Sequence, residues 1–319
     1  MSQPTNKPVA HAIDNDGHDR LTRFLLQEAG VRGVHVQLDD TWARIRERAG
    51  SGDQDAPAAV IELLGEAAAA AALFTGHAKV DGRLSVQLRG DGPLRTLFAE
   101  CTAAGTLRGI AQVTDGAPLP RDLRALGADA VLAITIENLA SEGREPVRYQ
   151  GLVALESESL AGAFEDYFRQ SEQLPTRLLL AADENRAAGL MLQKLPFDSR
   201  PDDGGDDDGW DRARVLFGTL SPDELLALPA ATVLRRLFHE DGVQVLGERP
   251  LRFACSCSRE RVASMLQSLG EDEARAAAAG GEAEIRCEFC GEQYRFGLGE
   301  IATLFPSQPA TVAAPERLQ

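Results

Sequence analysis

Basic residues are in short supply: 33 Lys and Arg face 49 Asp and Glu, and the formal net charge is −16. Nucleic acid is excluded as the main partner, because phosphate binding needs a basic face. Uninterrupted apolar runs of membrane-spanning length are also missing. The nearest case, residues 58–75, carries Glu62 and Glu66 and is mostly alanine, which reads as a helix in water. Residues 1–16 lack a basic end followed by an apolar core, so no secretory signal is expected and the cytoplasm is the expected compartment. Aromatics make up only 5% of the chain, and five cysteines in 319 residues are too few for a disulfide scaffold. The length itself allows two or three compact units with a sizeable core.

What cysteine there is falls in a pattern. Cys101 stands alone, whereas Cys255, Cys257, Cys287 and Cys290 form a C-x-C and a C-x-x-C separated by 29 residues. Two close pairs favour metal or redox chemistry, and zinc takes four thiolates in a closed tetrahedral site. The C-x-C pair departs from the usual knuckle. In an extended segment its Cα atoms lie about 6.6 Å apart, near the upper limit of about 6.8 Å for a disulfide. A bridge within that pair is strained and labile. The four residues can therefore serve as a purely structural zinc ribbon, or as a zinc clamp that oxidation converts to reversible disulfides; spacing alone favours the structural ribbon. Arg259, Arg261 and Arg286 flank the pairs and would favour thiolates.

The pattern along the chain predicts an α+β domain over residues 1–196, with residues 1–17 disordered. Residues 19–29 have helical spacing at Leu21, Phe24 and Leu25, and Leu97 and Phe98 read as part of a helical run before Cys101. Residues 57–75 are a long helix, and about seven strands are expected, among them 31–38, 83–88, 107–113, 130–136 and 188–195. An acidic, glycine-rich stretch at residues 197–209, with Asp202, Asp203, Asp206, Asp207 and Asp208, begins a linker region that extends to residue 250. Within it, residues 210–240 form short helices, one capped by Ser221 with Pro222 in its first turn. Helices this short are marginal alone and need a neighbour. Residues 243–254 are a strand pair. Residues 251–305 are a small metal domain with helices at 259–269 and 271–279 and a zinc hairpin around Cys287–Cys290; residues 306–319 are a tail. A domain this small needs a staple.

These residues resemble the heat-shock protein 33 family, the redox-regulated holdase chaperones of the bacterial cytoplasm. The resemblance is carried by Cys255-Ser256-Cys257-Ser258-Arg259-Glu260-Arg261, by Cys287-Glu288-Phe289-Cys290-Gly291 and by the stretch from Glu165-Asp166-Tyr167-Phe168 to Leu174-Pro175-Thr176-Arg177. Val86-Gln87-Leu88-Arg89-Gly90-Asp91-Gly92-Pro93, Tyr149-Gln150-Gly151 and Leu237-Phe238-His239-Glu240 add to it. The resemblance implies one zinc held by Cys255, Cys257, Cys287 and Cys290 in a reduced, inactive chain. It implies that oxidation forms Cys255–Cys257 and Cys287–Cys290 disulfides and releases the zinc. The small domain and helical linker then unfold, and the apolar surface they expose holds unfolding client proteins without ATP. It also implies a homodimer when oxidised, and it tips the balance from structural ribbon to switch. Melting of residues 210–240, once they lose a packing partner, would expose Trp210, Phe217, Leu234 and Phe238 as a client-binding group.

Other residues carry less. Cys101 reads as packing, His35 and His77 have no partner pattern, and metal ligation by His239 is not expected. Gly90-Asp91-Gly92 is a turn rather than a phosphate loop, since no GK[ST] follows. No catalytic constellation is present, and no enzyme activity is expected. Two alternatives remain: a thiol–disulfide oxidoreductase using Cys287 and Cys290, and a constitutive zinc-ribbon adaptor.

Overall fold

Twenty consecutive residues, Ala58–His77, form a helix that is buried on almost every side. Alanine is the strongest helix former, and its small side chain lets neighbouring layers approach closely. The computed structural model describes residues 18–49, 57–78, 80–114, 119–127, 129–139, 145–196 and 208–305. The expectations for residues 1–17, for most of the acidic stretch and for the tail lie outside them. Contacts divide the chain into two units, Met1–Ala254 and Cys255–Gln319. The helical region from residue 208 onward and the strands up to residue 253 thus belong with the first unit.

The first unit runs β1 (Arg20–Leu26), β2 (Val31–Leu38), α1 (Asp40–Arg46), α2 (Ala58–His77), β3 (Gly82–Arg89), β4 (Leu94–Thr102), β5 (Thr106–Val113), β6 (Val131–Asn138) and β7 (Val147–Val153). It continues with α3 (Leu160–Tyr167), β8 (Thr176–Ala182), β9 (Ala187–Lys194), α4 (Gly209–Phe217), α5 (Pro222–Ala227), α6 (Ala230–Phe238), β10 (Val243–Pro250) and β11 (Arg252–Phe253). Two sheets result, ordered β10-β1-β2-β9-β8 and β11-β5-β4-β3-β6-β7. Helix α2 packs against strands of both and anchors the main core with Leu84, Val86, Leu97, Phe164 and Met191. Gly65 and Gly189 mark close approaches to α2: a Cβ on Gly65 would lie 2.4 Å from that of Ala182, and one on Gly189 2.6 Å from Leu73. By length and composition α2 could cross a membrane, yet 83% of its apolar window is buried inside the protein.

Residues 19–29 are not a helix. β1 pairs with β2 on one side and β10 on the other. It is covered on both faces: Leu21 enters the core around α2, while Phe24 and Leu26 enter a second core on the far side of the sheet. Apolar residues on both faces mimic helical spacing. Leu97 and Phe98 lie in β4 for a related reason, Leu97 facing the α2 core from a strand interior. Burial in β4 pushes the Cys101 thiol up to about 12, which makes it an inert packing group.

The second core explains the short helices. α4, α5 and α6 lay Trp210, Ala213, Phe217, Leu225, Val233, Leu234 and Phe238 on Phe24, Leu26, Val31, Leu190 and Leu192 of the five-stranded sheet. Ser221 and Glu224 close a capping box on α5, with Pro222 at its start. Phe238 stacks on Phe24, ring centroids 6.5 Å apart. Arg212 of α4 pairs with Asp241, a fully buried carboxylate just after α6, with Nε at 2.9 Å. Within the first unit, the neighbour on which these helices pack is the five-stranded sheet. β10 and β11 follow one another but join different sheets.

The second unit comprises α7 (Arg259–Leu269), α8 (Glu271–Ala277), β12 (Glu282–Arg286), β13 (Gln293–Gly297) and α9 (Leu298–Leu304). β12 and β13 form an antiparallel hairpin. The buried core is Leu266, Ala274, Ala278, Ala283, Phe296 and Ile301, half of it alanine.

Candidate metal centre

The four cysteines arrive on two short segments. Cys255 and Cys257 lie in extended chain just before α7, whose N-cap Ser258 accepts a hydrogen bond from the Arg261 N–H. The helix thus begins two residues after Cys257, with only its N-cap between them, and presents its positive end on that side of the chain. Cys287 and Cys290 occupy the connection between β12 and β13. The Cys287 N–H bonds to the Glu292 carbonyl at 2.8 Å, and the Gly291 N–H bonds back to the Cys287 carbonyl at 2.8 Å. Gly291 has φ of 75°, a conformation that glycine adopts without strain, and it lets the chain turn tightly enough to aim both sulfurs the same way.

The four Sγ atoms lie within 4.8 Å of one another. Cys255 and Cys287 are 3.6 Å apart, and Cys257 and Cys290 are 3.4 Å apart. A tetrahedral zinc with Zn–S bonds of about 2.3 Å has sulfur–sulfur edges of about 3.8 Å. The donor set and its spacing therefore fit one zinc ion. Burial, and sulfur contacts with Cys257 and Cys287 in which the Cys290 thiol keeps its proton, push it well above its ordinary value, although the Glu292 backbone N–H works the other way. Four clustered thiolates would carry like charges that a bound cation offsets. Tyr294, on β13, donates its hydroxyl to Cys257 Sγ at 3.2 Å.

The arginines do less for the sulfurs than their sequence positions suggest. Arg259 lies 4.3 Å over the Phe296 ring and donates to the Arg295 carbonyl and to Glu300. Arg261 holds the Ser256 carbonyl at 2.8 Å, between the first two cysteines. Arg286 is exposed on β12. They brace the backbone around the site. Tyr294 was missed in the sequence; the available signal was strand parity, since it pairs with Ile285, which shares a strand face with Cys287.

Trp210, Phe217, Leu234 and Phe238 are brought together in the core beneath α4–α6, at 8%, 3%, 2% and 0% exposure. All four are covered in this structure. His239 is outside the cysteine cluster.

The fold has a solved counterpart. A 33 kDa chaperonin from Thermotoga maritima matches with a TM-score of 0.71 over 90% of this chain and 97% of its own, at 22% identity, which establishes the chaperonin-type fold. The sequence adds the family. Residues 19–297 match the family model described as Hsp33 protein. A 33 kDa chaperonin of Ectopseudomonas mendocina is 43% identical over 90% of this chain and 95% of its own. One from Pseudomonas putida is 41% identical over 94% and 97%. The chain belongs to the Hsp33 family and is an Hsp33-type chaperone, a class whose members bind unfolded client proteins; its relatives are named as chaperonins, not enzymes.

Proposed function

We propose that the chain is a redox-regulated, ATP-independent holdase, closed when reduced and zinc-bound and opened by oxidation of Cys255, Cys257, Cys287 and Cys290. The observation that carries this reading is the joining of a four-sulfur cluster to a buried core of only six side chains. When bound, zinc supplies a cross-link between the C-x-C segment and the β12–β13 knuckle. Structural zinc contributes about 10–16 kcal/mol of apparent binding free energy, against about 5–15 kcal/mol for the stability of a whole domain. A core this small does not hold without that cross-link.

Oxidation of Cys255 with Cys257, and of Cys287 with Cys290, removes all four donors at once. The sulfur contacts across the segments, at 3.6 and 3.4 Å, are close to the spacing a tetrahedral zinc would require of its ligands. Once one donor is lost the segments separate, whereas partners within each pair stay tethered by one or two residues. Disulfides that close such short loops restore little stability. In the open state α4–α6 leave the five-stranded sheet, and Trp210, Phe217, Leu234 and Phe238, with the sheet face beneath them, bind apolar segments of unfolding proteins. The charge of −16 keeps those complexes dissolved and argues against nucleic-acid and anionic membrane surfaces as partners. The oxidised form self-associates as a homodimer, and the working compartment is the cytoplasm. A thiol–disulfide oxidoreductase is disfavoured, because Cys287 and Cys290 sit in a hairpin connection rather than at a helix start.

The test is zinc and thiol counting beside a client-aggregation assay, before and after hydrogen peroxide with mild heat. The reduced chain should hold one zinc and show no protection. The oxidised chain should lose the zinc and four thiols, keep the buried Cys101 thiol, and suppress light scattering by an unfolding client. Zinc retained through oxidation, or equal protection in both states, would sink the proposal.

A further inference from the structure

The sheet face beneath α4–α6 is not apolar throughout. On β2, Val34, Val36 and Leu38 turn to the α2 core. Val31 instead joins the second core, Gly33 lies against the Phe24 ring, and Gln37 donates to the Leu226 carbonyl of α5 at 3.4 Å. Strand alternation puts His35, between Gly33 and Gln37, on that same covered face. It is 1% exposed and flanked by Thr22 of β1 and Leu190 of β9. Its Nε2 has no hydrogen-bond partner among the described residues.

The charged groups on the elements around it already have partners. Glu248 of β10 accepts from Thr22 and pairs with Arg20 at the sheet edge. Arg186, just before β9, donates to the Leu226 carbonyl at 3.2 Å and pairs with Asp39. Arg212 of α4 holds Asp241, whose carbonyl meets the Glu28 N–H beyond the far end of β1. Glu224 of α5 pairs with Arg236 of α6. The fully buried residues that α4–α6 contribute are uncharged. A proton on His35 would place a cation in this interface at a high desolvation cost.

We propose that His35 is an acid-sensitive latch on the helical cover: protonation of its imidazole releases α4–α6 from the five-stranded sheet while the four-cysteine site keeps its metal. Acid is then a second trigger for the surface that oxidation exposes, and the proposal rests on the reading above that this cover comes away. Burial pushes the His35 pKa down to about 4 with the cover in place, and release into water restores about 6.5. The closed state favours the neutral imidazole, so the cover is held best above pH 6.5 and loosens as pH falls towards 4. Between pH 7.5 and 5.5 these two values raise the ratio of open to closed chains about tenfold. His77 lies elsewhere, against Phe168 of the α2 core.

The experiment is hydrogen–deuterium exchange on the reduced, zinc-loaded, full-length chain at pH 7.5 and 5.5, corrected for the intrinsic pH dependence of amide exchange, with zinc content measured at each pH. Protection over α4–α6 should fall about tenfold in the wild type with zinc retained. It should stay below the protection of α2 at both pH values, which marks a local opening. His35→Leu and His35→Gln, two neutral replacements of different polarity, should abolish the fall. Unchanged protection in the wild type would overturn the latch without recourse to any variant. So would an equal fall in a folded variant, a fall that appears only as zinc is lost, or equal protection in α2 and α4–α6 at pH 5.5, which marks global unfolding. The reading beneath the proposal fails separately: if oxidised wild type at pH 7.5 keeps α4–α6 as protected as the reduced chain, oxidation does not release the cover, whatever acid does.

Discussion

Phe238→Ala should turn the reduced chain into a partly open one. Phe238 is fully buried, stacked on Phe24, and stands at the end of α6, where the helical cover meets the five-stranded sheet. Truncating a buried phenylalanine costs about 3–5 kcal/mol. The helices it secures are 9, 6 and 9 residues long, shorter than the roughly 12–15 residues at which isolated helices become even marginal. Their persistence depends on this packing. At about 1.4 kcal/mol per factor of ten, the lost contact raises the population of detached helices by roughly two to three orders of magnitude. The assay is dye binding to exposed apolar surface, together with client light scattering, both in excess thiol reductant and with zinc content checked. Phe164→Ala is the control: Phe164 is equally buried, but in the α2 core, so it should lower the melting temperature without exposing the covered face. The expected result is protection by reduced Phe238→Ala with its zinc still bound, and none by reduced Phe164→Ala. If the two variants behave alike, or if reduced Phe238→Ala protects nothing while oxidised wild type does, the surface beneath α4–α6 is not the one that binds clients.

Two further outcomes follow from the buried polar groups of the same region. His35 faces the second core from β2, is fully buried with Nε2 lacking a hydrogen-bond partner, and burial pushes its pKa down to about 4. Its neutral form is the one the fold accepts. Stability contributed by neutral His35 is therefore complete above about pH 6.5 and is lost as pH falls towards 4, by about 3 kcal/mol in all. Urea midpoints at pH 7.5 and 5.0 should differ less for His35→Leu than for wild type; His77, pushed down to about 3 by burial and by Arg32, supplies the remaining slope. An identical pH slope in the variant would count against this assignment. Asp241→Asn should cost about 2–3 kcal/mol, towards the lower end for breaking a buried pair, because Arg212 keeps access to water; thermal melting of the reduced protein checks it, and an unchanged midpoint would show that the pair is energetically idle.

The clustering of the four cysteines was legible in the sequence because it is local. Two cysteine pairs, Ser258 as a cap, Gly291 after the knuckle and helices on either side of Gly270 each rest on a few neighbouring residues. The strands of the first unit were harder wherever both faces are covered. In β1, Leu21 and Phe24 serve different cores, and nothing in the residues between them marks the sheet. The role of α4–α6 was half legible: their amphipathic pattern and short length demand a partner, but the pattern does not say which one. Leu190 and Leu192 of β9 are that partner, and only the pairing of β9 with β2 brings them beside Val31. Tyr294 was hidden because its ring does ordinary core work while its hydroxyl does something else.

The location of that partner bears on how oxidation would reach the client surface in the proposed switch. The buried contacts of α4–α6 within the first unit are with β1, β2, β8 and β9, and the chain that leads into Cys255 is continuous with that unit. That chain is short and held by few bonds. β11 is a two-residue strand paired with β5, the Ala254 N–H bonds to the Leu107 carbonyl, and the Leu251 N–H bonds to the Asp19 carbonyl. Immediately before it, β10 forms the edge of the five-stranded sheet and pairs with β1, whose Phe24 meets Phe238. β10 is also exposed along most of its length, with Val245 and Leu246 near half exposure. An edge strand with so little burial is among the first elements to detach when the chain beyond it loses its anchor. Its departure would uncover one side of β1 and take with it the turn carrying Asp241, the residue that clasps α4. In the proposed switch, oxidation at Cys255 would reach the helical cover by way of β11 and β10, the elements that precede it in the chain.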